Sequence, residues 1–333
     1  MQGPFRDYRM NRAFVSESGG FEVGVSVRDI TPDLAEYDSW VDVDGNSEFE
    51  PEKGDTWEDR NGNGDFDFVW LGGFDSNRPA QGIADPLWAR SIAFRSGGKT
   101  VVLCSIDSVG LTHERFIEVR KSIDQERWGI DYLSFSTTHT HNSPDTMGIW
   151  SYHPLFSRFD HDYLADVLRL VAESIVEAVE RLEPVKVSIA SADLEPAGFV
   201  RDSRMPEVYD RTLCAMRFDR AGGETLATLV SWGNHPEAMG SENPLVSSDF
   251  VHYLREGVEK GLPAPNPVKG LGGTCVFVQG PVGGLMTPLG LDVPDRNGTV
   301  FKEDGQEKSR ALGEKLDHLQ RHLLTQSPGF FLP

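Results

Sequence analysis

In the stretch FSTTHTHNSPDTMGIW an apolar run ends in His139-Thr140-His141 and passes into a polar, proline-containing loop. Side chains at i and i+2 of a strand point to one face, so both imidazoles can enter one site at the strand's end. Neutral imidazole is a common zinc ligand, and a second histidine beside it suits a catalytic neighbour. A second run, TLVSWGNHPEAMG, delivers His235 directly after apolar residues and before a proline. Two strand ends that each present histidine suit a shared metal site, which only the fold can assemble, because 96 residues separate His139 from His235. The alternative is surface histidines in loops.

A different chemistry is written between Asp33 and Asp75, where fourteen acids face only Lys53 and Arg60. Asp59, Asn61, Asn63, Asp65 and Asp67, with Gly64 at the sixth position, follow the first half of a calcium loop. The twelfth position is Trp70 instead of a bidentate glutamate. Asp42, Asp44, Asn46 and Glu48 repeat the alternation upstream, so two strings around one or two Ca²⁺ ions are expected, with a solvated acidic loop as the alternative. Like charges at this density oppose compaction unless a cation neutralises them, and oxygen ligands favour calcium over zinc. Calcium would in turn favour a secreted or periplasmic setting. The segment runs on into VWLGGF and GIADPL, which is expected to bring Trp70 and Phe74 into the pocket wall near Asp85.

The elements that must position these residues follow from periodicity. Residues 1–20 read as a loose tail, after which FEVGVSV, LWARSIAF, TVVLCSI and YLSFS read as strands. An amphipathic helix is predicted over about 112–128, ended by Gly129. Leu164, Val167, Leu168, Val171, Ile175, Ala178, Val179 and Leu182 recur at helical spacing over 161–182, and Pro184 stops that helix. VKVSIA, TLCAMRFD, TLATLVSW and TCVFVQ continue as strands, with helices near 248–260 and 308–324. The order indicates an α/β fold, with α+β as the alternative: a mixed sheet flanked by helices. One domain is expected over 21–333, with the acidic insertion at about 33–75.

The 333 residues carry a net charge of −20, which argues against unaided binding to nucleic acid or an anionic membrane surface. No apolar run approaches the ~18 residues of a membrane span. Cys104, Cys214 and Cys275 each lie in apolar runs without metal-type spacing and read as core thiols.

Taken in order, VGVSVRDITP, GIADPLWARSIAF, CSIDSVGL, STTHTHNSPDT, SWGNHPEAMG with SSDF after it, and FVQGPVGGLMTP resemble the N-terminal domain of the neutral/alkaline, non-lysosomal ceramidases. These are zinc-dependent amidases that cleave N-acylsphingosine. The resemblance implies that His139 and His235 hold Zn²⁺, that His141 lines the site and contacts substrate, and that Arg201 in GFVRDSR contacts substrate. A metal-activated water or hydroxyl would then attack a polarised amide or ester carbonyl.

The chain departs from the family at named positions. Ala84 stands where the family has a histidine, with Asp85 beside it. The family's Gly-Asp-x-Ser-Pro motif becomes Gly284-Leu285-Met286-Thr287-Pro288, so that Thr287 keeps a hydroxyl before proline without the aspartate. The family's glutamate and tyrosine zinc ligands belong to a region past Pro333, and Asp107, Asp85 and Asp249 are the carboxylates placed to replace them; Asp249 also suits a helix cap.

The expected activity is hydrolysis of an amide or ester in a small-molecule or lipid-like acyl substrate. The alternatives are a non-catalytic binding module on the same scaffold, or a metal-dependent lactonase or lyase. The apolar ending with Phe330, Phe331 and Leu332 is expected to pack on a second copy, a further domain or its own domain.

Overall fold

The computed structural model describes residues 20–152, 160–264, 266–283 and 285–325, and the backbone of 8–16. Its strands form two five-stranded mixed sheets. In one, β1 (Tyr8–Ser16) pairs antiparallel with a long strand met later in the chain, β6 (Lys186–Leu194). In the other, β2 (Phe21–Asp29), β3 (Trp88–Ser96) and β4 (Lys99–Ile106) are antiparallel, β5 (Tyr132–Thr137) joins β4 in parallel, and the two-residue strand Glu183–Pro184 pairs antiparallel with the free edge of β2. Beyond β6 the first sheet continues through antiparallel β7 (Thr212–Asp219) and β8 (Thr225–Trp232) to β9 (Thr274–Gln279), which lies parallel to β8. Each sheet is thus an antiparallel meander ending in one parallel pair.

A parallel pair needs a crossover, and helices provide it. Between β4 and β5 run α1 (His113–Ser122) and the single turn α2 (Gln125–Trp128). They divide the one helix expected over 112–128, because Asp124 accepts the Arg127 N–H and starts a new turn. The long helix α3 (His161–Glu180) is capped by Asp160, which accepts the amides of Asp162 and Tyr163. Its buried stripe of Leu164, Val167, Val171, Ile175 and Ala178 packs on β2, on β3 with Ala93, and on β4 with Val102 and Cys104. The approach is close: a Cβ at Gly24 of β2 would sit 2.0 Å from the Ala178 carbonyl oxygen, so glycine alone fits there.

Between β8 and β9 the crossover is α4 (Phe250–Lys260), which lies with the last helix, α5 (Gln306–Thr325), on the other sheet. Phe250, Leu254, Leu312, Leu316, Trp232 and Phe277 share that core. A third core of Val23, Val25, Ile92, Val187, Phe218 and Val276 lies where residues of both sheets meet. The molecule is therefore layered helix, sheet, sheet, helix. The mixed sheet expected from the sequence is two sheets, since a strand buried on both faces reads alike in either.

Two further expectations change. The stretch read as a loose tail contains β1, held through backbone pairing with β6. Cys104 and Cys275 are buried, whereas Cys214 is exposed, because alternation along β7 buries its neighbours Leu213 and Ala215 instead. The acidic segment is ordered: Ser39–Val41 pairs with Thr56–Glu58, and Trp40, Phe49, Phe68 and Trp70 bury their rings together. Phe330, Phe331 and Leu332 lie outside the described residues. Among the described residues, no helix is long and apolar enough to cross a membrane.

Candidate metal centre

β5 and β8 end side by side, and their loops are tied together. The His141 N–H donates to the Pro236 carbonyl at 3.0 Å, the Thr140 hydroxyl to the Ser247 carbonyl at 2.8 Å, and the Ser247 N–H to the Asn142 carbonyl at 2.8 Å. Both histidines of the first motif stand beyond the last residue of β5, so strand alternation is not what aims them. His139 takes a left-handed backbone with φ 66°, an uncommon conformation for a residue with a Cβ, and its ring turns toward its neighbours.

The result is a group of three imidazoles. Ring centroids lie 5.0 Å apart for His139 and His141, 4.9 Å for His139 and His235, and 5.4 Å for His141 and His235. One ring nitrogen from each falls within 4.8 Å of the others. His139 Nδ1 lies 2.5 Å from the Val109 carbonyl oxygen and His235 Nδ1 2.7 Å from that of Met286, contacts that call for N–H at Nδ1 and leave Nε2 with its lone pair. His141 Nδ1 is 3.0 Å from Glu237 Oε2, in an orientation that falls short of a well-aligned hydrogen bond.

Burial lowers the pKa of all three histidines, outweighing the Glu237 carboxylate that would raise them. Neutral rings are the form a metal needs. For Glu237, burial pushes the carboxyl up, but hydrogen bonding and charge from His141, with Thr287 and His235, bring it below the usual carboxylate value. Three neutral imidazoles at this spacing, each with Nδ1 beside an acceptor, suit a transition metal with three protein ligands and an open fourth position.

The wall of the site comes partly from the acidic segment. The Phe74 ring stands edge-on to His141 at 4.9 Å, and Gly73 has φ 111°, with a Cβ there falling 2.4 Å from the imidazole. Phe74 thus takes the expected place in the wall, while Trp70 is buried in the aromatic cluster. Behind Phe74, burial lowers the Arg78 guanidinium to about 10, and its Nη2 donates to the Asn243 carbonyl at 2.9 Å.

Thr287 is buried beside Glu237, and its hydroxyl oxygen accepts the Leu289 N–H at 3.0 Å. Arg201 pairs with Thr287 across a two-residue ladder, so both side chains leave the same face, and its Nε donates to the Leu289 carbonyl at 2.6 Å. Glu237 escaped the sequence reading, although it stands two residues after His235 in HPEAMG. His141, expected to touch substrate, joins the other two as a potential ligand.

The expected carboxylate ligands lie elsewhere. Asp107 stays on the ladder with Trp88, accepting its N–H at 2.9 Å, and pairs with Arg255 at 2.6 Å. Asp85 accepts the Ser247 hydroxyl and the Ser248 N–H and hydroxyl, and lies 3.7 Å from His252. Asp249 caps α4 by accepting the Phe250 N–H, and also takes the Met239 N–H and the Ser309 hydroxyl. None of the three belongs to the histidine group.

In the acidic segment the side chains close their own turns. Asp42 accepts the amides of Gly45, Asn46 and Ser47, and Asp59 those of Gly62, Asn63 and Gly64. The Asn61 and Asn63 amides donate to Asp67, the Asn63 side chain accepts the Asp65 N–H, and Asn46 donates to Asp44 at 3.4 Å. Among the described residues the histidines form the one group of three or more metal-type ligands; no three of the acids converge.

No protein-family model matches the chain. Two solved structures superpose on 94% of it at 17% sequence identity: a ceramidase complexed with C2, with a TM-score of 0.68, and the neutral ceramidase of Pseudomonas aeruginosa, with a TM-score of 0.69. The chain has the neutral ceramidase fold. It spans 45% and 46% of those two ceramidase chains, less than half of either. On this ceramidase fold STTHTHNSPDT follows β5, SWGNHPEAMG follows β8, and Met286 accepts from His235 between them, so three landmarks of the resemblance meet at one place.

Proposed function

We propose that the protein is a zinc-dependent hydrolase of an amide or ester bond in a small-molecule or lipid-like acyl substrate. The observation that carries this reading is the convergence of His139, His141 and His235 with each Nδ1 beside a carbonyl or carboxylate. The shared fold with ceramidases supports an acyl substrate. His139, His141 and His235 would hold the ion, which when bound supplies Lewis acidity toward a carbonyl and an acidified water.

The chain's own residues would do the rest. Glu237, ionised and in contact with His141 Nδ1, favours the proton on that nitrogen and so leaves Nε2 with its lone pair, and is placed to take a proton from the Thr287 hydroxyl or a water beside it. Phe74 shields one side of His141 from solvent. Arg201, on the same face as Thr287, would orient the acyl or head group at the mouth.

Metal analysis of the purified protein tests the ligand set, and about one equivalent of zinc or another transition metal is expected. Acyl amides, esters and lactones are then screened with wild type and His139→Ala. Turnover by the wild type alone supports the hydrolase, and equal background from both supports a non-catalytic binding module. Calcium in the acidic turns, and with it a secreted or periplasmic setting, is a separate proposal. Its check is a melting curve with and without a calcium chelator, with a lower Tm expected after chelation.

A further inference from the structure

Two of the carboxylates that miss the histidines, Asp85 and Asp249, belong to one buried unit. Leu245 and Val246 run parallel to Gly82 and Ile83 in a two-residue ladder, and the Ala84 N–H donates to the Val246 carbonyl at 2.9 Å. This pairing sets Asp85 against the residues that follow Val246. Its Oδ1 accepts the Ser248 N–H at 2.8 Å and the Ser248 hydroxyl at 3.0 Å. Its Oδ2 accepts the Ser247 hydroxyl, whose oxygen in turn accepts the Asp249 N–H at 2.8 Å. Ser247, Ser248 and Asp249 are fully buried, and Asp85 is 4% exposed. Buried polar side chains satisfied by one another make a rigid unit, since none can turn away without leaving a partner unpaired.

The unit grips both histidine loops. Toward the first, the Ser247 carbonyl accepts the hydroxyl of Thr140, which stands between His139 and His141, and the Ser247 N–H donates to the carbonyl of Asn142, next after His141. Toward the second, Asp249 Oδ2 accepts the N–H of Met239 at 2.9 Å, in the turn that carries His235 and Glu237. Asp249 takes φ 57° and ψ −145°, a backbone that a residue with a Cβ keeps only where its surroundings impose it. Capping α4 does not require this, because a capping residue ordinarily lies in the β region. The left-handed His139 lies at the other end of the same set of bonds.

We propose that Ser247-Ser248-Asp249, anchored by Asp85, is a positioning clamp that holds the two loops in the one register in which the three imidazoles converge, a role that rests on the reading of that group as a metal site. The clamp acts through Thr140, Asn142 and Met239.

Thr140→Val tests it by removing the hydroxyl donor at nearly constant shape, while Thr140→Ser keeps the donor. Each full chain is stripped of metal and titrated with Co²⁺ against a chromophoric chelator, with its visible absorption recorded. Wild type is expected to bind about one equivalent. Thr140→Val is expected to bind Co²⁺ at least ~10-fold more weakly, with a shifted d–d band, and Thr140→Ser to stay within about twofold of wild type. A part in folding alone would lower the urea midpoint of Thr140→Val and leave the Co²⁺ affinity and spectrum of the folded protein unchanged, and that result overturns the clamp. Equal weakening in Thr140→Ser also overturns it, since the hydroxyl bond to Ser247 would then not matter. Wild type that takes up no Co²⁺ overturns the metal reading together with the clamp, so the two failures are told apart. Should Thr140→Val not fold, Ser247→Ala, which cuts the segment from Asp85, takes its place with the same expected and overturning results.

Discussion

The histidine group and the pair of Asp107 with Arg255 both form where an apolar strand ends, yet they hold their polar side chains by opposite means. The first gathers neutral rings, two of them fixed by backbone carbonyls of Val109 and Met286. The second gathers full charges in pairs, Asp107 with Arg255 and Arg90 with Glu259. One arrangement leaves lone pairs converging on a common point, and the other consumes its charges internally. A residue at a strand end is therefore only near a site. The turn it enters decides which site: His139 leaves β5 through a left-handed residue, whereas Asp107 is still hydrogen-bonded to Trp88.

The sharpest way to break this contrast is to remove a ligand from one side and an ion from the other. His235→Ala is expected to lower metal-dependent turnover by at least ~10²-fold, more than the loss of an outer partner, with bound metal falling to under about a tenth of an equivalent by elemental analysis. Global stability should barely change. Arg255→Met is expected to do the reverse. It leaves Asp107 buried and unpaired, a loss of about 3–5 kcal/mol measurable from the urea midpoint.

A smaller effect is expected from Glu237→Gln, which keeps the shape but removes the charge beside His141. Metal affinity measured against a chromophoric chelator should drop about 10–100-fold without a matching loss of stability. The last test uses pH. Burial pushes the Asp85 carboxyl up from 3.8 to about 7, against the hydrogen bonds of Ser247 and Ser248 that would lower it. The folded state then holds the extra proton, so this group's contribution is complete below about pH 4 and is lost as the pH rises to about 7. Asp85→Asn removes that titration. The stability of wild type relative to the variant should fall by on the order of 4 kcal/mol across this interval. A pH-independent difference would place Asp85 outside the charged region.

The histidines were legible because they sit directly after apolar runs, and α3 was legible from the spacing of Leu164, Val167, Val171 and Ile175. Phe74 was legible from the loop that carries it. Asp85 and Asp107 were misread because a terminal aspartate looks the same whether it faces a metal, the hydroxyls of Ser247 and Ser248, or an arginine from α4, 148 residues from Asp107. Glu237 was missed because a lone acid after proline carries no period or motif. Its role exists only once Pro236 bonds to His141 and brings the two loops together.

By itself the sequence determined the local layer of this protein. Alternation set the strands, the three- and four-residue spacing set the helices, and the apolar run before each histidine motif put His139, His141 and His235 at loop entrances. These follow from a residue's near neighbours along the chain. Only the tertiary structure decided that the strands divide into two facing sheets, that His141 turns toward His139 and His235, and that Asp107 belongs to Arg255. Those outcomes rest on contacts between distant segments and on one left-handed turn at His139, and neither burial pattern nor residue type encodes a partner that far away.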